Sequence, residues 1–146
     1  MPELPEVETI RRGLSPLIIG EVIKDVFIEK DTLGLLAGSL SLGDLKSALI
    51  GSEIQELGRR GKYLVFSLSN GFLWIAHLRM TGQIVWTAAE DPPLTYQRAY
   101  ISFESGYDLR WADLRKFGTW QIVTDILELQ KKLGPEPLDA KFSVAY

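Results

Sequence analysis

The stretch KYLVFSLSNGFLWIA, residues 62–76, carries the clearest fold signal in this chain of 146 residues. Apolar residues alternate with others through residues 63–68, and a second apolar run at 72–75 follows the pair Asn70-Gly71. Alternation with a period of two is typical of a strand, and an Asn-Gly pair between two such runs is a strong short-range hairpin signal. The stretch therefore predicts an antiparallel hairpin and, with it, a fold built on sheets.

Similar runs on both sides of the hairpin predict further strands. They are rich in Val, Ile, Phe, Tyr and Trp and occupy residues 21–30, 83–87, 98–103, 107–111 and 118–124. Residues 104–106, Glu-Ser-Gly, lie between two of these runs and predict a second hairpin. Residues 32–42 are rich in glycine and leucine without a clear period, and we expect a loop there. Short strands joined by tight turns are typical of a two-sheet sandwich or a barrel.

A helix is predicted at the beginning of the chain. Apolar residues recur there at spacings of three and four, at Val7, Ile10, Leu14 and Leu17. This spacing places them on one face of a helix. Pro5 is tolerated because it falls in the first turn, and Gly20 is expected to end the segment.

Two further helices are predicted, one in the middle of the chain and one near its end. The first covers residues 43–50, with Asp44 as its cap, and the second begins with the capping-box spacing of Asp125 and Glu128. The second helix has one apolar face and is expected to end at Gly134, before Pro135; its apolar residues are Ile126, Leu129 and Leu133. We therefore predict a mainly β protein of the α+β class: an antiparallel two-sheet β-sandwich of about eight strands, flanked by an N-terminal and a C-terminal helix.

Composition narrows the function classes. The chain has no cysteine and one histidine, so a disulfide, a thiolate metal site and a histidine-based metal site are not expected, and no cofactor is predicted within it. No run approaches the roughly 20 apolar residues of a membrane helix, and the acidic N-terminus is unlike a signal peptide. We expect a cytoplasmic protein without a membrane partner. The net charge of −3 argues mildly against non-specific polyanion binding, although the basic residues are clustered.

The first candidate site is Met1-Pro2-Glu3. The residue after the initiator methionine, Pro2, is small, so the methionine is normally removable. Its loss exposes the Pro2 nitrogen as a free secondary amine. An N-terminal amine has an ordinary pKa of about 8, so a fraction is neutral and nucleophilic at neutral pH. Such an amine can form an iminium with a sugar or carbonyl carbon, and Glu3 or Glu6 can move protons. The alternative is that the acidic residues only stabilise the helix start.

Two basic motifs flank the first hairpin. Arg59-Arg60-Gly61-Lys62 precedes its first strand and predicts a phosphate contact; the alternative is a solvated edge that resists aggregation. The motif 77–82, His-Leu-Arg-Met-Thr-Gly, follows its second strand. We expect His77 and Arg79 to share one strand face and Met80 to be exposed at the next turn, where it would contact a partner. The alternative is a structural histidine and a core methionine.

The last motif is Asp113-Leu114-Arg115-Lys116-Phe117-Gly118, predicted to form a turn after a strand. Nucleic-acid binders combine cations with an exposed aromatic ring, because arginine binds base edges and the ring stacks or wedges between bases. Arg115, Lys116 and Phe117 are therefore candidate DNA-binding residues. The alternative is a polar turn with one buried ring.

Taken in order, these motifs resemble the N-terminal domain of formamidopyrimidine-DNA glycosylase. The resemblance spans the chain and rests on MPELPEVETIRRGL, RRGKYL, HLRMTG, DLRKFG and LGPEPL, at residues 1–14, 59–64, 77–82, 113–118 and 133–138. It implies an enzyme that flips oxidised purines, such as 8-oxoguanine and formamidopyrimidines, out of double-stranded DNA during base excision repair. After loss of Met1, Pro2 would attack the sugar C1′ and displace the damaged base. The resulting Schiff-base intermediate would then lose both flanking phosphates by β- and δ-elimination.

The resemblance also implies roles for individual side chains. Glu3 would act as general acid and base, and Glu6 would support the pocket of the damaged nucleotide. Lys62, counted with the catalytic group, and His77 would contact phosphates around the lesion. The space left by the flipped base would be filled by Met80, Arg115 and Phe117, with Arg115 facing the orphaned partner base. Flipping costs a few kcal/mol, which gives such a plug its energetic purpose.

The resemblance has departures. The family often has proline where Leu114 stands and arginine where Lys116 stands, and its histidine-containing stretch is missing near residues 96–98. The family also continues into a helix–two-turn–helix lobe with a zinc finger. We therefore expect a catalytic domain at residues 1–134, the start of a linker at 135–146, and weak DNA affinity with little or no activity from this chain alone.

Two other functions remain open. The endonuclease VIII branch, which prefers oxidised pyrimidines, usually has glycine where Leu4 stands, so the purine-specific branch is favoured. A non-catalytic DNA-binding β-sandwich that has kept the motifs is the other alternative. For the full-length protein the resemblance implies a monomer, located in a bacterial cytoplasm and associated with the nucleoid.

Overall fold

The computed structural model describes residues 4–36, 40–79, 81–116, 118–125, 127–128 and 131. These residues form two α-helices, α1 (Leu4–Ile18) and α2 (Leu42–Leu49), and a short 3₁₀ helix at Lys30–Leu35. They also form eight strands: β1 (Ile23–Ile28), β2 (Ile54–Arg60), β3 (Tyr63–Leu68), β4 (Leu73–His77), β5 (Gly82–Ala88), β6 (Gln97–Phe103), β7 (Tyr107–Asp113) and β8 (Thr119–Val123).

The strands make two antiparallel sheets of four. The first sheet has the order β1-β6-β7-β5, and the second has the order β2-β3-β4-β8. The predicted antiparallel sandwich is therefore confirmed. Strand β2 was missed because its sequence, IQELGRR, is too polar to show apolar alternation, although Ile54 and Leu57 are buried.

The hairpin predicted from residues 62–76 is present as β3 and β4, in the register Leu64↔Ala76 and Phe66↔Trp74. Its turn needs Gly71, whose φ of +91° lies in the left-handed region that glycine adopts without steric cost. The Asn70 amide donates to the Ala48 carbonyl and to the Ser52 hydroxyl, both at 2.8 Å, and its oxygen accepts the Phe72 N–H at 3.0 Å. The turn is thus tied to the last turn of α2 and to the segment that follows it.

Aromatic side chains join the two sheets in the core. In the second sheet, Phe66 stacks on Trp74 with ring centroids 4.1 Å apart, and Trp74 meets Trp120 edge to face at 5.1 Å. Trp120 in turn meets Trp111 of the first sheet at 5.7 Å and a near-perpendicular angle of 87°. Offset and edge-to-face contacts of this kind are the arrangements that aromatic rings prefer.

Helix α1 is present as predicted, but its buried face is shifted. Val7, Leu14 and Ile18 are buried, whereas Leu17 is 50% exposed, so Leu17 does not belong to the buried face of the helix. The buried positions 7, 14 and 18 continue the helical spacing through position 11, where Arg11 is only 4% exposed. The pattern could not reveal this face because an arginine occupies its centre.

Helix α2 is also present, but Asp44 is not its cap. Ser41 has extended backbone and its hydroxyl accepts the Asp44 N–H at 3.0 Å, which is the geometry of an N-cap. The predicted loop at 32–42 is in part the 3₁₀ helix. Near the end of the chain, Asp125 accepts the Glu128 N–H at 2.9 Å, as the capping-box spacing predicts. The rest of that helix and the expected domain boundary at 134 lie outside the described residues.

We expect Asn70→Ala to lower the free energy of unfolding by about 1–3 kcal/mol, because it leaves the Ala48 carbonyl and the Phe72 N–H without this partner. Urea unfolding measures the change. Gln55→Ala, which truncates an exposed side chain on β2, is the matched control and should change stability by less than about 0.5 kcal/mol. Equal losses in the two variants would contradict the role of Asn70.

Candidate nucleic-acid interface

Three connections meet at one end of the sandwich: the β2–β3 turn, the segment 78–81 and the segment 114–118. In the second sheet, Tyr63, His77 and Thr119 are register partners across β3, β4 and β8. In the first sheet, Gly82 pairs with Asp113, so segment 78–81 ends and segment 114–118 begins at neighbouring strand ends. The sheet registers therefore bring together motifs that are more than 50 residues apart in the sequence.

His77 closes β4 and is held in one orientation. Its Nδ1 accepts the Arg79 N–H at 2.9 Å, and its ring meets the Tyr63 ring edge to face at 4.6 Å. Burial, followed by the nearby charges of Arg79 and Lys62, lowers the pKa of His77 to about 4. The imidazole is therefore neutral at neutral pH, and because Nδ1 is an acceptor, Nε2 carries the proton and can donate to a partner.

Arg79 lies outside the strand. Strand β4 ends at His77, and Arg79 has a φ of +56° and an exposed side chain, so the expectation that it shares a strand face with His77 was wrong. Lys116, in segment 114–118, also has a positive φ, of +59°. Non-glycine residues in this region are uncommon and often mark functional turns.

The two cations of segment 114–118, Arg115 and Lys116, differ from each other in exposure and in their partners. Arg115 is exposed, and its N–H donates to the Thr81 hydroxyl at 3.1 Å. Lys116 is partly buried, and its Nζ lies 2.9 Å from the Asp31 carboxylate, which lowers the pKa of Asp31. Arg115 is thus presented to solvent, whereas Lys116 is an ion-pair partner of the 3₁₀ helix.

Glu8 connects α1 to the β2–β3 turn. Its carboxylate accepts hydrogen bonds from Arg11 at 2.6 Å, from Arg12 at 2.7 Å and from Arg59 at 3.0 Å. Arg59 also donates to the Gly61 carbonyl at 3.1 Å, next to Lys62. The Arg11 hydrogen bond, with those of Arg59 and Arg12, holds the pKa of Glu8 far below its usual range, against the opposing effect of burial. The beginning of α1 is thereby fixed beside the turn that carries Lys62.

The predicted site residues can now be placed. Glu6 is exposed in the first turn of α1, close in sequence to the Glu8 anchor, and Lys62 is partly buried in the β2–β3 turn. His77 is the last residue of β4, immediately before segment 78–81, and Arg115 lies in segment 114–118. The remaining candidates, Pro2, Glu3, Met80 and Phe117, lie outside the described residues.

No structural role was predicted from the sequence for the side chains that organise this end of the sandwich. Asp113 is 1% exposed and accepts hydrogen bonds from the Thr81 hydroxyl and from the Gly118 N–H, the latter at 2.8 Å. The spacing of Glu8 from Arg11 and Arg12, three and four residues, could have predicted their ion pairs on a helix. Nothing in the sequence could pair Glu8 with Arg59 or Thr81 with Asp113, because those contacts are made only in the folded chain.

Within the described ranges, no group of three or more His, Cys, Asp or Glu side chains is arranged to hold a metal ion. The helices of the described part of the chain are all too short or too polar to cross a membrane.

An antiparallel sandwich that presents cations from separate turns at one end belongs to the class of mainly β proteins suited to a polyanionic partner. Residues 1–120 match the family model described as the formamidopyrimidine-DNA glycosylase N-terminal domain. The chain belongs to this family.

Individual relatives agree with the family match. Formamidopyrimidine-DNA glycosylase from Pelotomaculum thermopropionicum is 40% identical over 98% of this chain, and the one from Streptococcus pneumoniae strain R6 is 40% identical over 99%. A crystal structure of Lactococcus lactis FPG (MutM) with Fapy-dG-containing DNA has a TM-score of 0.81 and 35% identity, and covers 90% of this chain and 48% of its own. This chain spans 52% of the length of both named relatives, about half.

The sole histidine of the chain gives a direct test of the site. We expect its NMR titration to have a midpoint near pH 4 in the folded protein and near 6.5 in urea. Because the folded pKa is depressed, the unfolded state takes up the proton first, and stability should fall as pH decreases from 6.5 towards 4. A folded-state midpoint near 6.5 would contradict the burial of a neutral imidazole.

Glu8→Gln should lower the free energy of unfolding by about 1–3 kcal/mol at neutral pH, since it weakens charge-assisted hydrogen bonds to three arginines. A carboxylate whose pKa is lowered in the folded protein stabilises the folded state at pH values above its unfolded-state pKa. This contribution is lost as the pH falls below about 4.5. The difference between wild type and variant should therefore shrink in acid. Unfolding at pH 7 and pH 3 measures this. Exposed Glu53→Gln is the control, and equal losses in both variants would refute the anchor.

Proposed function

We propose that this chain is the N-terminal catalytic part of a bifunctional DNA glycosylase and abasic-site lyase that removes oxidised purines in base excision repair. The observation that carries the proposal is the assembly of α1, His77 and Arg115 at one end of the sandwich, through the Glu8–Arg59 ion pair and the sheet registers. Family membership and a relative crystallised with Fapy-dG DNA support the same conclusion.

The proposed reaction begins at the chain terminus. Once Met1 is removed, the lone pair of the Pro2 nitrogen attacks C1′ of the damaged nucleotide, and the bond between C1′ and the base breaks. Glu3 provides the proton transfers that open the sugar and give an iminium. Loss of a C2′ proton then expels the 3′ phosphate, a second elimination expels the 5′ phosphate, and hydrolysis of the iminium returns Pro2 as the free amine. The attack at C1′ and the iminium require only the amine of Pro2, and we propose no cofactor within residues 1–146.

The described residues supply binding and positioning. Glu8 and Arg59 hold the start of α1 beside Lys62, so a nucleophile near that start can act next to a phosphate-binding cation. His77 is neutral and its Nε2–H can donate to a phosphate oxygen without a desolvated charge. Exposed Arg115 is available to the partner base left behind by flipping. Of the DNA-binding candidates, Lys116 is already paired with Asp31, and we assign it a supporting contact to the DNA backbone.

The proposal extends to the whole protein. We infer that residues 1–134 are the catalytic domain, that 135–146 begin a linker to a second DNA-binding lobe, and that the family zinc finger belongs to that lobe. The partner is damaged double-stranded DNA, and the full-length protein acts as a monomer in the bacterial cytoplasm, at the nucleoid. We expect weak DNA binding and little activity from this chain alone, because phosphate contacts are shared between the two lobes.

Borohydride trapping on a duplex containing 8-oxoguanine tests the reaction. The complete natural protein, with loss of Met1 verified by intact mass, should form a covalent adduct because borohydride reduces the iminium. The adduct should be lost in Pro2→Gly and in protein that retains Met1, where the Pro2 nitrogen is an amide and cannot attack. A duplex containing an oxidised pyrimidine separates this function from the endonuclease VIII alternative. The proposal is overturned if processed wild-type protein forms no adduct with either duplex.

A further inference from the structure

One network of hydrogen bonds ties together two of the connections at the functional end. The Asp113 carboxylate uses one oxygen to accept from the Thr81 hydroxyl and the other to accept from the Gly118 N–H at 2.8 Å. The Thr81 oxygen accepts the Arg115 N–H at 3.1 Å. Segment 114–118 is therefore held near its beginning through Thr81 and at its end through Asp113.

The chemistry of the network is fully matched. A threonine hydroxyl has one proton to donate and lone pairs that accept, and here it donates to Asp113 and accepts from Arg115. Asp113 is 1% exposed, so water does not compete for its hydrogen bonds. Replacement of the Thr81 hydroxyl by a methyl group would remove both links while preserving the shape of the side chain.

Neighbouring groups restrict the backbone at Gly118 and at Asp113, the two residues at the ends of this connection. A Cβ on Gly118 would lie 2.3 Å from Trp111 Cζ2 and 3.1 Å from the His77 carbonyl oxygen. The Arg98 guanidinium donates to the Asp113 carbonyl at 2.8 Å, which holds the end of β7 from the other side. Arg115 is therefore an exposed side chain on a backbone that is held by Thr81 and, on either side in sequence, by the contacts of Asp113 and Gly118.

We propose that Thr81 and Asp113 form a positioning clamp that sets the backbone of Arg115 for its contact with the orphaned partner base. The inference rests on the proposed function for the role of Arg115, while the clamp itself rests on the hydrogen bonds alone. Neither residue is assigned a contact with DNA. They hold the backbone of the arginine in its binding geometry before DNA binds, so that little conformational entropy is lost on binding.

The first test concerns the clamp and needs no DNA. In the complete natural protein, amide hydrogen exchange at Arg115 should be protected, and Thr81→Val should accelerate it about tenfold or more, whereas Thr81→Ser should restore the protection. Thr87→Val is the matched control, because Thr87 lies on β5, the strand that follows Thr81, and donates its hydroxyl to Asp91. The clamp is refuted if Arg115 exchange is unchanged in Thr81→Val.

The second test concerns function. Thr81→Val should slow single-turnover excision about tenfold in the wild-type background, because small displacements of a positioning group are costly. It should change the rate by less than about twofold when Arg115 is already Ala, since a double-mutant cycle isolates effects that act through one residue. Equal slowing in both backgrounds would overturn the proposal. Absence of excision by wild type would refute the proposed function instead, and amide exchange would still decide the clamp.

Discussion

The edge-to-face contact between Trp111 and Trp120 is the constraint on which the functional end of this protein depends. The two rings come from different sheets and lie 5.7 Å apart, so their packing sets the separation of the sheets near their ends. Trp111 also occupies the space where any side chain at position 118 would lie, which requires glycine there. Gly118, at the end of this connection, is consequently packed directly against the core, which restricts the backbone that leads into β8.

Charge at this end is organised by pairing. Arg59 is bound by Glu8 and Lys116 by Asp31, so these cations also fix the helix and the 3₁₀ segment relative to the sheets. The net charge of −3 does not exclude a polyanionic partner, because the field that such a partner meets depends on where the charges lie. Neutral His77 adds a hydrogen-bond donor without adding a buried charge.

Local patterns predicted the fold well where one face of an element was uniformly apolar. The β3–β4 hairpin and the strands on either side of residues 104–106 lie where alternation and turn residues placed them. The prediction failed where polar residues occupy buried positions: Arg11 hid the true face of α1, and the polar sequence of β2 concealed a strand. Buried arginines are compatible with a core only when specific partners are present, and partners distant in sequence are invisible to a periodicity argument.

The sequence by itself determined the class of fold, the family and the residue types of the candidate site, because these depend on periodicity, turn chemistry and motifs that are local in the chain. Only the tertiary structure decided which of those residues work together. The register between β5 and β7 brings Thr81 to Asp113, and the packing of α1 on β2 brings Glu8 to Arg59. Hydrogen bonds act over about 3 Å, so such pairs exist only after the backbone has folded.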